Sequence, residues 1–272
     1  MSEEPAYDLL RRVKPSDIEP RLYDLIRLCP RLSETLLSTV DIPMKIKEDT
    51  AVGGLFVACE FNRDLDSHRS PLSNKYYPTL RDGQMIPERL RRIEIKANYA
   101  FNAYRHLYFH GGICSVYLWE IETKVFGLGV FIKNNINTKI RTGNSIKGVI
   151  DCSDVIEIDE TNPKVAKYTL TSSVLMNVSI DIGLSKPLTI GGSTADRKIV
   201  ERPWKNDNDH IVNVGELVES NSAHFRDYIE AIYISKMRQI IELMSNQDGM
   251  ALQAAVAKEL ATLFAKKKAS GQ

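Results

Sequence analysis

Hydrophobic and polar positions follow several different rhythms along this chain, and each predicts a different kind of structure. Over residues 6–40 apolar side chains recur at helical spacing, but Pro15 and Pro30 interrupt them. The stretch therefore predicts three short helices. Ser16-x-x-Glu19 reads as a capping box opening the second, whose apolar positions are Ile18, Leu22, Leu25, Ile26 and Cys29. The third passes through Leu32, Leu36, Leu37 and Val40 and stops before Pro43. Helices this short are marginal alone, so a small bundle is expected, a helical stalk over residues 1–43.

The period then shortens. Residues 55–61, LFVACEF, are strand-like, and residues 62–82, dense in Asn, Asp, Ser, Pro and Tyr, predict an ordered loop, so 44–87 form a small strand and loop region. Pro87 suits the first turn of a helix with the stripe Leu90, Ile93, Ala97, Ala100, Phe101, Tyr104, Leu107 and Tyr108, ending at Gly111-Gly112. Five strand candidates follow at 113–121, 124–133, 145–159, 165–182 and 188–190. Turn signals such as Glu122-Thr123 and Thr161-Asn162-Pro163 leave no room for crossover helices, so the sheet is expected to be an antiparallel meander. A polar loop over 193–209 leads into a long helix over 210–244, carrying Ile211, Val214, Leu217, Val218 and Phe225 among its apolar positions. The fold class is α+β, with a five-stranded antiparallel sheet covered by a long helix within residues 88–245. Gly249 follows a polar break, and residues 246–272 are expected to be a mobile tail with an amphipathic helix from Met250 to about Ala265.

Composition narrows the function. Among 272 residues, 36 Lys plus Arg balance 35 Asp plus Glu, which excludes a bulk electrostatic attraction to nucleic acid. The longest apolar runs, such as 125–132, fall short of a bilayer span. The N-terminus, MSEEPAYDLLRRV, begins acidic and lacks the apolar core of a signal peptide, so a cytoplasmic protein is expected. Cys29, Cys59, Cys114 and Cys152 form no C-x-x-C pair, which fits reduced thiols, and the Asn177-Val178-Ser179 sequon would stay unmodified there.

Candidate chemistry is sparse. Gly127-Leu128-Gly129 lacks the third glycine of a dinucleotide fingerprint, and Gly143 to Gly148 is followed by Val149 where a P-loop needs lysine. His106 and His110 stand one helical turn apart, but no third ligand has recognisable spacing, and solvated histidines are the simpler reading. Asp64 and Asp66 lie among turn residues, where Asx-turns account for them. No catalytic residue, cofactor or metal is assigned. In the tail, Leu252, Val256, Leu260, Leu263 and Phe264 form one stripe at spacings of three and four, before Lys266, Lys267 and Lys268. That pattern admits a terminal helix docked on its own domain, a detachable helix that fills a partner's groove, or a membrane-surface helix.

One further signal is specific. Through Cys59-Glu60-Phe61-Asn62-Arg63-Asp64, SHRSPLSNKYYPTLRDG, RLRRIE, NYAFNAYRHLYFHGGICSVYLWE and HIVNVGELVE, the chain resembles the beta-subunit family of F-actin-capping protein, from the first helix to the end of the long one. Departures are local: the family usually has Tyr where Phe61 stands, Trp at Leu72 and Glu at His110. The resemblance implies an alpha/beta heterodimer in which each chain supplies a stalk, a sheet and a long helix, with the two sheets joined. It implies a non-enzymatic cap on the barbed end of actin filaments, with cytoplasmic, cytoskeletal placement. It makes the stripe Leu252, Val256, Leu260, Leu263 and Phe264 an actin-binding element. Arg226, with His224 in place of the usual Lys, falls where the family has a basic residue implicated in actin or acidic-lipid contact. Phosphoinositides and capping-protein regulators join the alpha subunit and actin as implied partners. The rival readings are a regulatory scaffold that keeps the dimer without capping, and a hydrolase using Asp64 or His106.

Overall fold

The structure, a computed structural model, describes residues 15–33, 43–109, 111–139, 145–181 and 188–230. The expected first helix, all but the start of the third, and the tail helix lie outside these residues. The chain divides into two compact units, Met1–Asn221 and Ser222–Gln272.

Within the first unit, helix α1 (Pro15–Leu28) turns Leu22 fully inward. Ser16 lies inside this helix rather than ahead of it, so the expected capping box does not open it. A hairpin of β1 (Lys45–Asp49) and β2 (Gly54–Ala58) comes next. The turn-rich segment is not only loop: β3 (Arg63–Asp64), β4 (Ser67–Arg69) and β5 (Tyr76–Tyr77) pair as a small antiparallel sheet. Two- and three-residue strands are too short to leave a period in the sequence, which is why turn chemistry masked them.

Helix α2 (Glu88–Tyr108) starts after Pro87 and ends before Gly111, whose φ of +78° is a backbone conformation that glycine adopts without strain. It leads into the main sheet: β6 (Ile113–Glu122), β7 (Val125–Lys139), β8 (Ser145–Asp159), β9 (Val165–Asp181) and β10 (Leu188–Pro203). The order β10-β9-β8-β7-β6 is the expected antiparallel meander. Helix α3 (Asp207–Ile229) follows.

Period-2 alternation decides what each face of the sheet meets. On one face, Cys114, Val116 and Leu118 of β6, Leu128 and Val130 of β7, Ile156 and Ile158 of β8, and Tyr168 and Leu170 of β9 form one core with Leu90, Ile93, Ala97 and Phe101 of α2 and Val214, Leu217 and Val218 of α3. Two helices therefore cover this face. On the other face Tyr117 and Phe131 pack with Val57 of β2. Gly127 and Gly129 serve this second face: a Cβ on Gly127 would fall 2.1 Å from the Trp119 ring, and one on Gly129 2.5 Å from Phe131. These glycines accommodate aromatic rings rather than phosphate.

Three boundaries differ from expectation. β7 continues past Lys133 to Lys139, pairing Asn134↔Ile150 through Lys139↔Ser145 despite its asparagines. β10 is not three residues but sixteen, so most of the expected polar loop is strand. Its polar residues sit on a sheet edge, where Val200 is the one side chain among those described that packs against the main core. α3 begins three residues early, because Asn206 Oδ1 accepts the Asn208 N–H (2.9 Å) while Asp209 Oδ2 accepts the Asn206 N–H (3.1 Å). Asn206 thus caps the helix through its second N–H, and Asp209 reaches back to the Asn206 N–H as the third residue of a capping box does.

Candidate interaction surfaces

The two edges of the main sheet differ. In an antiparallel ladder alternate residues of an edge strand turn their N–H and C=O outward, where they need other partners or water. Three of those groups on β6, and the Gly112 carbonyl just ahead of it, are met by α2. Asn98 donates to the Val116 carbonyl (2.8 Å) and accepts the Val116 N–H (2.9 Å). Glu94 Oε2 accepts the Leu118 N–H (2.9 Å), and Arg105 donates to the Gly112 carbonyl (3.0 Å). The registers match: four helical residues rise about 6 Å and two strand residues about 6.8 Å, so positions 94 and 98 face 118 and 116. A strand edge blunted in this way cannot extend.

β10 has a single strand neighbour among the described elements, β9, paired from Leu188↔Ile180 to Pro203↔Val165. The described side-chain bonds to its backbone are two, one in mid-strand and one at its C-terminal end: Asp196 Oδ1 accepts the Arg197 N–H (2.8 Å), and Asn213 donates to the Pro203 carbonyl (3.1 Å). Sixteen extended residues present roughly 50 Å of edge. Ile199 is exposed on it.

The start of α3 is clamped to the end of the sheet. Arg89 of α2 makes a bidentate pair with Glu160 (3.0 and 2.7 Å) and also donates to Asp207 (2.6 Å). His210 is fully buried, its Nδ1 2.8 Å from the Tyr168 hydroxyl and its Nε2 2.8 Å from Glu160 Oε1, the latter outside good hydrogen-bond alignment. Asn213 donates to the same hydroxyl (2.9 Å), and the Trp204 ring lies 4.8 Å from the imidazole. Burial opposes ionisation of Glu160, but the contacts from His210 and Arg89 outweigh it and hold the carboxyl down at about 2.

A second buried ion cluster ties the small sheet to α2. Arg69 of β4 meets Glu94 through two bonds of 2.8 and 2.7 Å, and Arg91 adds a third (2.5 Å). Glu94 thus joins the small sheet, α2 and the β6 edge.

The expected site residues divide between described and undescribed parts of the chain. Arg226 lies on α3 within the second unit and is exposed, as is His224 beside the buried Phe225. Leu252, Val256, Leu260, Leu263 and Phe264 lie outside the described residues. Of the residues in the hydrolase reading, Asp64 accepts the Gln84 N–H (3.0 Å), and His106 sits exposed against Arg105. His110 lies outside the described residues. A cavity of about 480 Å³ near β5 is lined by residues including Lys75, Tyr76, Tyr77, Arg81 and Met85, and by neither Asp64 nor His106. Among the described residues no group of His, Cys, Asp or Glu is arranged to hold a metal, and no helix is long and apolar enough to cross a membrane.

Sequence reasoning missed the edge caps and the clamp. The available signal was Glu94 and Asn98, two polar residues four apart between the core positions Ile93, Ala97 and Phe101.

Comparison with known proteins adds independent findings. Residues 4–241 match the family model described as F-actin capping protein, beta subunit. The F-actin-capping protein subunit beta of Drosophila melanogaster is 38% identical over 265 residues, covering 96% of this chain and 94% of its own. That of Caenorhabditis elegans is also 38% identical, covering 87% and 86%, and that of Dictyostelium discoideum 34%, covering 89% and 88%. A solved homodimeric actin capping protein alpha subunit from Plasmodium berghei shares the fold, with a TM-score of 0.52 over 90% of this chain and 95% of that one at 9% identity.

Proposed function

Because the chain belongs to the F-actin capping protein beta-subunit family, we propose that it pairs with an alpha subunit through the open β10 edge and that the heterodimer caps actin filament barbed ends. The asymmetry of the sheet edges carries the reading. A chain that spends Glu94, Asn98 and Arg105 on blunting β6 leaves β10 open for a strand supplied by another chain. Joining two such sheets and covering the α-helical faces buries well over about 2,000 Å², the size class of obligate pairs.

Capping then works by occlusion and slow release, with no bond made or broken. The clamp at Arg89, Glu160 and His210 gives α3 a fixed start on the sheet. Arg226, exposed further along, and the stripe Leu252, Val256, Leu260, Leu263 and Phe264 are the proposed actin contacts. The stripe fills an apolar groove as a helix. Arg226 meets acidic groups of actin or of phosphoinositide headgroups, and regulators act on the assembled dimer. A cytoplasmic, cytoskeletal location follows from that role.

The test is co-expression with an alpha subunit, followed by pyrene-actin elongation from filament seeds. Substoichiometric heterodimer should stop barbed-end growth. A stable heterodimer that leaves growth unchanged would replace capping with the scaffold reading. A soluble, monodisperse monomer of this chain alone would overturn obligate pairing.

A further inference from the structure

One carboxyl lies in the core without a cation. Asp154 sits in mid-strand on β8, the central strand of the main sheet, and is 4% exposed. The registers set Val116, Val130, Asp154, Ser172 and Asp196 in one row across the five strands, on the face that α2 and α3 cover. Along β8 its neighbours on that face are Cys152 and Ile156. Its described hydrogen bond comes from the Ser172 hydroxyl, which donates to Oδ1 (2.5 Å). A buried charge held by one hydroxyl is poorly compensated, so burial outweighs that bond and pushes the carboxyl up to about 6.

The groups around it leave the charge uncompensated. Burial raises the Cys114 and Cys152 thiols far above neutrality, so both stay uncharged. Arg105 of α2 is turned to the Gly112 carbonyl and Asn102, and Asp196 of β10 accepts the Arg197 N–H. Tyr104 of α2 is a phenol, and Lys198 of β10 reaches Ser220 (3.3 Å). Glu216 and Glu219 of α3 are exposed, while its buried positions Val214, Leu217, Val218 and Asn221 carry no charge. Among the described residues no cation pairs with Asp154. Because Lys198 is paired with Leu170, one row from Ser172, its bond to Ser220 brings this turn of α3 alongside those two rows. The next residue, Asn221, is 3% exposed, and its Nδ2 is a buried donor with no described partner. α3 passes out of the first unit immediately after it.

We propose that Asp154 makes the seating of α3 on the sheet proton-dependent: protonated, it closes a neutral face under the turn that ends at Asn221, and ionised, it draws water beneath that turn and loosens it. The device goes beyond barbed-end capping. Its sign follows from linkage. The seated state holds the proton up to about 6, whereas a carboxyl released to water ionises near 3.8, so the contribution is complete below the lower value and is lost as pH rises through the upper one. Local opening of one helix turn is the low-energy route by which water reaches the group.

The test follows the full chain in complex with its alpha subunit from pH 5 to 8, by hydrogen exchange at the α3 amides 214–221, corrected for the intrinsic pH dependence of exchange. Asp154→Asn keeps the volume and the neutral state. Relative to that variant, protection of these amides in the wild-type protein should fall by about tenfold between pH 5 and 8. Histidines that titrate in the same window are common to both proteins and cancel in the comparison. Ser172→Ala removes the hydroxyl that favours the ionised form and should extend the loss of protection to higher pH. Parallel profiles for the wild type and Asp154→Asn overturn the proposal. So does an equal loss at the α2 amides 97–101, which would make Asp154 a buried acid acting on the whole fold rather than on α3. An unchanged profile in Ser172→Ala overturns it as well, and that variant decides alone where Asp154→Asn does not assemble. No readout involves actin, so the result stands whether or not the heterodimer caps.

Discussion

Replacing Asn98 with alanine isolates the blunted edge as a source of stability. Asn98 is buried, and its amide satisfies both outward backbone groups of Val116, itself fully buried in the core. Alanine removes both partners and leaves space too small and too apolar for water to replace them well. Each orphaned backbone group costs about 1–3 kcal/mol, so partial relaxation of the edge leaves a loss of roughly 2–4 kcal/mol. At about 2–4 °C per kcal/mol for a chain of this size, the melting temperature falls by about 4–16 °C. Asn98→Asp separates geometry from volume. It keeps an acceptor for the Val116 N–H but turns a carboxylate oxygen toward the Val116 carbonyl, so it should be at least as damaging as alanine.

The control is Asn102→Ala, one turn further along α2. Asn102 is half-buried and its amide donates to the Asn98 carbonyl (3.0 Å), a group within the helix ladder, so its loss should cost less than about 1 kcal/mol. Both substitutions belong in the heterodimer, followed by urea unfolding with fluorescence and circular dichroism as paired probes, so that a common transition can be verified. If Asn98→Ala and Asn102→Ala shift the midpoint equally, the edge of β6 is not held by Asn98 and the contrast with β10 loses its basis.

Other expectations follow from the same structure. Glu160, held at about 2 against an ordinary value of 4.5, contributes stability that is complete above the ordinary value and drains away as pH falls toward 2. Glu160→Gln should therefore flatten the acid limb of a urea midpoint against pH profile, and an unchanged limb would place the acid sensitivity elsewhere. Arg226→Ala should weaken barbed-end binding more at low salt than at high, because screening already removes most of an exposed charge's effect at high ionic strength; no loss at any salt concentration would make the residue inert. Leu260→Arg sets a charge in the middle of the tail stripe and should raise the off-rate from barbed ends while moving the melting temperature by no more than about 1–2 °C. A large thermal loss with unchanged dissociation kinetics would instead assign the stripe to the core of its own domain.

Periodic features were legible because they are local. Leu90, Ile93, Ala97 and Phe101 announce α2, and the alternation through Phe126, Leu128, Val130 and Ile132 announces β7. β10 was cut short because Ser193 to Pro203 is polar, and polarity reads as loop unless the strand is known to lie on an edge. The Asn206-x-x-Asp209 box was present in the sequence, yet it stood inside a stretch already taken as loop, so the helix start was placed at His210. Glu94 and Asn98 were unreadable for a different reason. Their partners, Leu118 and Val116, lie beyond a helix end and a turn, and nothing local distinguishes a buried glutamate from a solvated one. The long-range clamp is the extreme case, since Arg89 and His210 come from two helices and Glu160 from the turn after β8.

The edges and the clamp together explain why pairing and capping belong in one molecule. An open strand edge is a hazard for any protein alone, since it templates association with whatever strand arrives first. In the main sheet β10 is the more open edge, because α2 side chains whose spacing matches the strand meet backbone groups along β6. On the proposed pairing, association is thereby channelled to one side of the sheet, where a partner's sheet would continue it. The same helix that closes β6 also carries Arg89, which fixes the start of α3. A single element thus closes one edge of the sheet and holds the first turn of α3. Occluding a filament end requires contacts held at fixed separation on a platform that does not yield. A platform built from one continuous sheet, with its helix anchored by buried ion pairs at the first turn, meets that requirement without any catalytic group.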